Sequence, residues 1–76
     1  MQSRLLFRPL DQHTIEVIDP EALRSDVVGR IVWDPEEGDL TFDAIDGDYL
    51  YHKEDLIRIA NYMSKLDLAF MTKVSQ

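Results

Sequence analysis

Cysteine is absent from this chain, which removes disulfides, thiolate metal sites and cysteine nucleophiles together. Glycine and proline are scarce, three of each, and all the glycines fall between residues 29 and 47. No apolar run approaches the roughly 20 residues that span a bilayer. Leu5-Leu6-Phe7, between Arg4 and Arg8, is too short for the apolar core of a secretion signal. GxSxG, P-loop and HExxH patterns do not occur. These absences point to a cytoplasmic chain with no membrane partner and no cofactor.

At 76 residues the chain has room for one domain only. A chain this short buries about 60% of its unfolded surface, so stability is marginal unless a partner adds burial. The formal net charge is −7, and its distribution says more than its size. From Asp34 to Asp55 nine acids stand against Lys53 alone, while the rest of the chain is close to neutral. Such a field repels DNA, RNA and anionic membrane and attracts basic proteins. Direct nucleic-acid binding is therefore not expected.

Residues 3–8 and 13–18 read as a hairpin of two strands around the turn Pro9-Leu10-Asp11-Gln12. Asp19-Pro20-Glu21 has the order of a helix start, cap then proline then acid, for a short helix over 20–25. The stretch 29–52 reads as a three-stranded meander. Pro35-Glu36-Glu37-Gly38 closes Asp34 against Asp39, so Trp33 faces Leu40, Ile31 faces Phe42 and Arg30 faces Asp43. Asp46-Gly47 signals a second, type I′ turn that pairs Ala44 with Tyr49 and Phe42 with Tyr51. Both turns then place Ile31, Trp33, Leu40, Phe42, Tyr49 and Tyr51 on one face. The other face would carry Val28, Val32, Ile45 and Leu50.

From Lys53 onward, Leu56, Ile59, Ala60, Met63, Leu66, Phe70 and Val74 recur at helical spacing. The helix is expected from about Lys53 to Asp67. Residues 68–76 either continue it or fold back, because Leu66, Leu68 and Phe70 also alternate. The expected fold is α+β: a small, mainly antiparallel sheet of up to five strands, ordered β-β-short α-β-β-β, with an amphipathic C-terminal helix packed on the aromatic face.

Candidate chemistry is thin. An EF-hand needs oxygens at positions 1, 3 and 5 ahead of its glycine; Gly47 in that role puts Phe42 and Ala44 there, and Gly38 puts Trp33 at position 1. A loose cation site at Asp46 and Asp48 is outweighed by their role as ordinary turn residues. His13 lies near Asp11 and Glu16, and His52 near Glu54 and Asp55, with no serine or threonine positioned as nucleophile. The aromatic set reads as core, not as a base-stacking platform, because acidic flanks repel phosphate.

Two surfaces remain. One is the acidic face, Asp34, Glu36, Glu37, Asp39, Asp46 and Asp48, suited to a basic protein surface. The other is the apolar segment Leu66, Leu68, Phe70, Met71 and Val74, suited to a partner or a second copy of the chain. The leading expectation is a non-catalytic acidic interaction module, a regulator or inhibitor of a protein partner, with a homodimer through the last helical turns and a phage or mobile-element origin as extensions of that reading. The alternatives are a nucleic-acid mimic that blocks a DNA-binding protein and, behind it, a small metal-dependent enzyme using His52 and nearby acids. No catalytic or metal-binding residue is assigned.

Overall fold

The computed structural model describes residues 2–22 and 26–74, with the side chains of the C-terminal helix described as far as Leu66. Four strands, β1 (Leu6–Pro9), β2 (Thr14–Ile18), β3 (Val27–Asp34) and β4 (Asp39–Asp43), precede one helix, α1 (Lys53–Val74). The strands form an antiparallel sheet in chain order, β1-β2-β3-β4, so the fold is α+β with an open sheet.

The β3–β4 hairpin has the register that its turn dictates. Trp33 pairs with Leu40, Ile31 with Phe42 and Arg30 with Asp43. Gly38 sits at φ 66°, the left-handed conformation this loop requires, and its amide donates to the Asp34 carbonyl at 2.8 Å. Pairing with β2 and β1 adds Val17, Ile15 and Phe7 to the face of Ile31 and Phe42. Leu5, Val17, Ile31, Leu40 and Ile59 of α1 are buried there, with Trp33, Tyr49, Tyr62, Met63 and Leu66 packed around them.

The opposite face carries a row of alternating charge. Arg8, Glu16, Arg30 and Asp43 are consecutive register partners across all four strands. Arg8 donates twice to one Glu16 oxygen, at 2.8 and 3.0 Å. Each opposite-charge cross-strand neighbour contributes roughly 0.2–1 kcal/mol.

Several expectations are corrected. Residues 44–52 form no strand. Gly47 does not take the positive φ that a type I′ turn needs, and the Tyr49 amide instead closes a turn on the Asp46 carbonyl. The face assignment survives by another route, because Phe42 meets Tyr51 edge-on at 5.4 Å and Tyr51 meets Tyr49 at 4.8 Å. Val28 is not on the open face. Register slips from Val17–Gly29 to Ile18–Val27, which leaves Val28 as the unpaired residue of a β-bulge and turns its side chain into the core, fully buried. Its carbonyl, out of the ladder, accepts the Tyr51 hydroxyl at 2.6 Å and the Asp46 amide at 3.4 Å. Of the expected short helix, residues 20–22 form a turn and 23–25 lie outside the described residues.

The helix runs unbroken to Val74, with no fold-back at 68. Its buried stripe is rotated from the expected one: Asp55, Ile59, Tyr62, Met63 and Leu66 face inward, while Leu56 and Ala60 are exposed. The cause is Asp55, which accepts the His52 amide at 3.0 Å and the Ser3 hydroxyl at 2.6 Å. His52 is thus the N-cap, closed from behind by the acid at the third helical position.

Gly29 is the inward-facing residue beside the bulge. A β-carbon there would lie 2.7 Å from the Tyr51 hydroxyl and 2.8 Å from the Phe42 ring, so the two aromatics occupy the space that its missing side chain leaves. Gly29→Ala should cost about 1–3 kcal/mol in urea unfolding by forcing both rings aside. Gly47→Ala, with nothing within 4 Å, serves as the control. Equal midpoints for the two variants would refute the packing account.

Candidate functional site

The acidic residues fall into two groups at opposite ends of β3, because the second turn is tied to Val28 and the first to Asp34. Six residues of strand rise separate those anchors, about 20 Å. The structure therefore brings Asp34, Glu36, Glu37 and Asp39 together and keeps Asp46 and Asp48 apart from them.

At the first end the aspartates serve the backbone. Asp34 accepts the amides of Glu36 at 3.0 Å and Glu37 at 3.4 Å, and Asp39 accepts the Leu40 amide at 2.8 Å. These bonds fix the turn and leave the exposed carboxylates of Glu36 and Glu37 pointing from a defined scaffold. At the second end Asp46 accepts the Asp48 amide at 3.0 Å. Asp46 and Asp48 border a shallow cavity of about 560 Å³ whose other walls include Arg4, Asp19, Glu21, Tyr49 and Leu50.

Asp19 is the centre of that wall and was legible in the sequence only as a helix cap. Its side chain is fully buried. Oδ1 accepts Arg4 Nε at 2.7 Å and the Glu21 amide at 2.9 Å, and Oδ2 accepts the Tyr49 hydroxyl at 2.7 Å. A second Arg4 nitrogen reaches Glu21 at 3.0 Å. The hydrogen bond from Arg4 holds the Asp19 carboxyl well down, at about 2, against the opposing effect of burial; the Glu21 amide and Tyr49 hydroxyl add to the lowering. Burial, then the bond to Asp19, pushes the Tyr49 phenol strongly upward. Burial, with the nearby charges of Asp46, Asp55 and Asp43, pushes Tyr51 up to about 12.

His13 and His52 are both exposed and belong to different ends of the chain's path: His13 precedes β2, and His52 caps α1. Among the described residues no group of three His, Asp or Glu side chains is placed to hold a metal ion, and no helix is long and apolar enough to cross a membrane. Of the apolar interface candidates, Leu66 is half-buried against the core. The side chains of Leu68, Phe70, Met71 and Val74 lie outside the described residues.

A groove of about 640 Å³ was not anticipated. It runs between the N-terminal segment with β1 and α1, and its lining includes Phe7, Tyr62, Arg58 and Lys65. The stacking partners come from elements far apart in sequence, so no local pattern announces it.

No protein-family model, curated protein or solved structure matches this chain.

The Asp19 cluster sets an acid limit. A carboxyl whose folded value lies below its unfolded one contributes stability that is full above about pH 4 and is lost as pH falls toward 2. With the exposed Arg4 partner discounted for solvent screening, roughly 1–2 kcal/mol is involved. Urea midpoints measured between pH 7 and 2.5 should fall more steeply for the wild type than for Asp19→Asn across pH 4 to 2. Parallel curves would remove Asp19 as the cause. At the alkaline end the sign reverses: the contribution of Tyr51 is full below about pH 10 and declines as pH rises toward 12. Tyr51→Phe should abolish that part of the alkaline decline.

Proposed function

We propose that this chain is a non-catalytic acidic interaction module, a cytoplasmic regulator or inhibitor that docks its Asp34–Asp39 turn on a basic surface of a protein partner. The observation that carries the reading is where the cations are. Ion pairs among the described residues join Arg4 to Asp19 and Glu21, and Arg8 to Glu16. None reaches the turn, so its negative field is uncompensated and is presented on a hydrogen-bonded scaffold. Fields of that kind raise association rates and select partners of opposite charge. A non-catalytic role is supported by the separation of the two histidines and by hydroxyls engaged elsewhere: Ser3 on Asp55, Thr41 on the Val32 carbonyl and Ser64 on the Ala60 carbonyl. A homodimer through the last turns of α1 is an extension of this reading.

Affinity capture from the native host, with mass-spectrometric identification, supplies the partner. Purified partner should then bind the wild type in a salt-sensitive manner and lose about tenfold or more in affinity to the Glu36→Lys, Glu37→Lys double variant. Binding that survives reversal and salt would refute docking by this turn. Equal losses from reversal at Asp46 and Asp48 would favour the nucleic-acid-mimic alternative, in which one groove engages both ends.

A further inference from the structure

The groove between β1 and α1 is opposite in character to the acidic turns. In a chain of net charge −7 it collects two cations, Arg58 and Lys65, that make no ion pair among the described residues. Glu54, one turn ahead of Arg58, also borders the groove yet makes no ion pair with it. The floor is aromatic: the Phe7 and Tyr62 rings stack at 4.1 Å and 13°.

Arg58 is held in place before anything binds. Its Nε donates to the Leu5 carbonyl at 2.9 Å, and its guanidinium carbon lies 5.5 Å over the Phe7 ring. The two terminal nitrogens remain to donate elsewhere, as a planar fork that matches a carboxylate. Fixing the fork in advance lowers the ordering cost of binding. Lys65 stands seven residues later on the same helix, about 10 Å along its axis. Asn61, between them on the groove wall, offers an amide to a peptide backbone.

We propose that this groove binds an acidic peptide segment of a partner protein, laid along α1 over Phe7 and Tyr62 with two carboxylates about 10 Å apart seated on Arg58 and Lys65. Charge complementarity selects the occupant: two unpaired cations on an aromatic floor favour acids joined by apolar or proline residues. Strand addition at β1 is not the mode, because Pro9 lacks an amide and Arg58 already takes the Leu5 carbonyl. The site is independent of the acidic turn, so either reading can fail alone.

The probe is a short fluorescein-labelled peptide with a central Glu-Pro-Pro-Glu, whose carboxylates lie about 9 Å apart in polyproline geometry. Its anisotropy should rise on titration with the full chain. Lys65→Glu should weaken binding about tenfold or more, and about 0.5 M salt should abolish it. Lys65 is exposed and distant from the Leu5 contact, so this variant keeps its fold, which circular dichroism verifies. The Glu36→Lys, Glu37→Lys variant should bind as the wild type does. The proposal is overturned if the Gln-Pro-Pro-Gln peptide binds equally, if Lys65→Glu has no effect, or if no binding occurs up to about 1 mM peptide. Sedimentation showing self-association that Lys65→Glu abolishes would also overturn it, making a second copy's acidic turn the occupant.

Discussion

One buried carboxylate holds the irregular parts of this molecule to its sheet. Asp19 lies where β2 ends, and its two oxygens reach the segment before β1 through Arg4, the connection to β3 through the Glu21 amide, and the segment before α1 through Tyr49. None of those three segments is in a strand, and none has a ladder of its own to fix it. An isolated buried carboxylate would be costly; three hydrogen bonds, one of them from an arginine, make it tolerable, and removing one partner would leave the others facing an unmatched charge. Tyr49, so held, positions Tyr51, which in turn covers Gly29 and satisfies the carbonyl that the bulge releases. The packing of the aromatic face therefore begins at a polar contact.

Local rules carried far in the sequence, and their failures have a common cause. The Asp34–Asp39 turn fixed its own register because proline and glycine leave the backbone few choices, and alternation then assigned every side chain of β3 and β4 near it. Asp46-Gly47 carried the same kind of signal but lost to tertiary contacts: Asp46 bonds to Val28 and Tyr51 to the same carbonyl, a geometry that a paired third strand would not allow. The bulge at Val28 has no sequence signature, since it arises from the meeting of two strands and not from either one. Helical periodicity gave the existence of α1 but not its rotation, because an acid, Asp55, takes an inward position for the sake of Ser3 and His52. The acidic turn was readable as a site candidate; the basic groove was not, because Phe7 and Tyr62 meet only after folding.

The distribution of charge follows from the same architecture. Asp19 and Glu21 pair with Arg4 and Glu16 pairs with Arg8 across strands, whereas the acids of the first turn make no ion pair among the described residues. Positive charge left over sits on α1. The edges of the sheet are treated differently again. Asp39 caps the Leu40 amide on β4, and Pro9 with Arg58 closes β1, so an open sheet is kept from recruiting further strands.

The strictly sequential strand order has a kinetic consequence. Each strand pairs with its chain neighbour, so every hairpin closes a short loop at small entropic cost, and the sheet can zip without waiting for distant contacts. The hydrogen bonds among the described residues that span more than 50 positions are Ser3 to Asp55 and Arg58 to Leu5, and the Phe7–Tyr62 stack lies beside them. These contacts fasten α1 and complete the core, so docking the helix closes a far longer loop than any hairpin does and carries the larger closure cost.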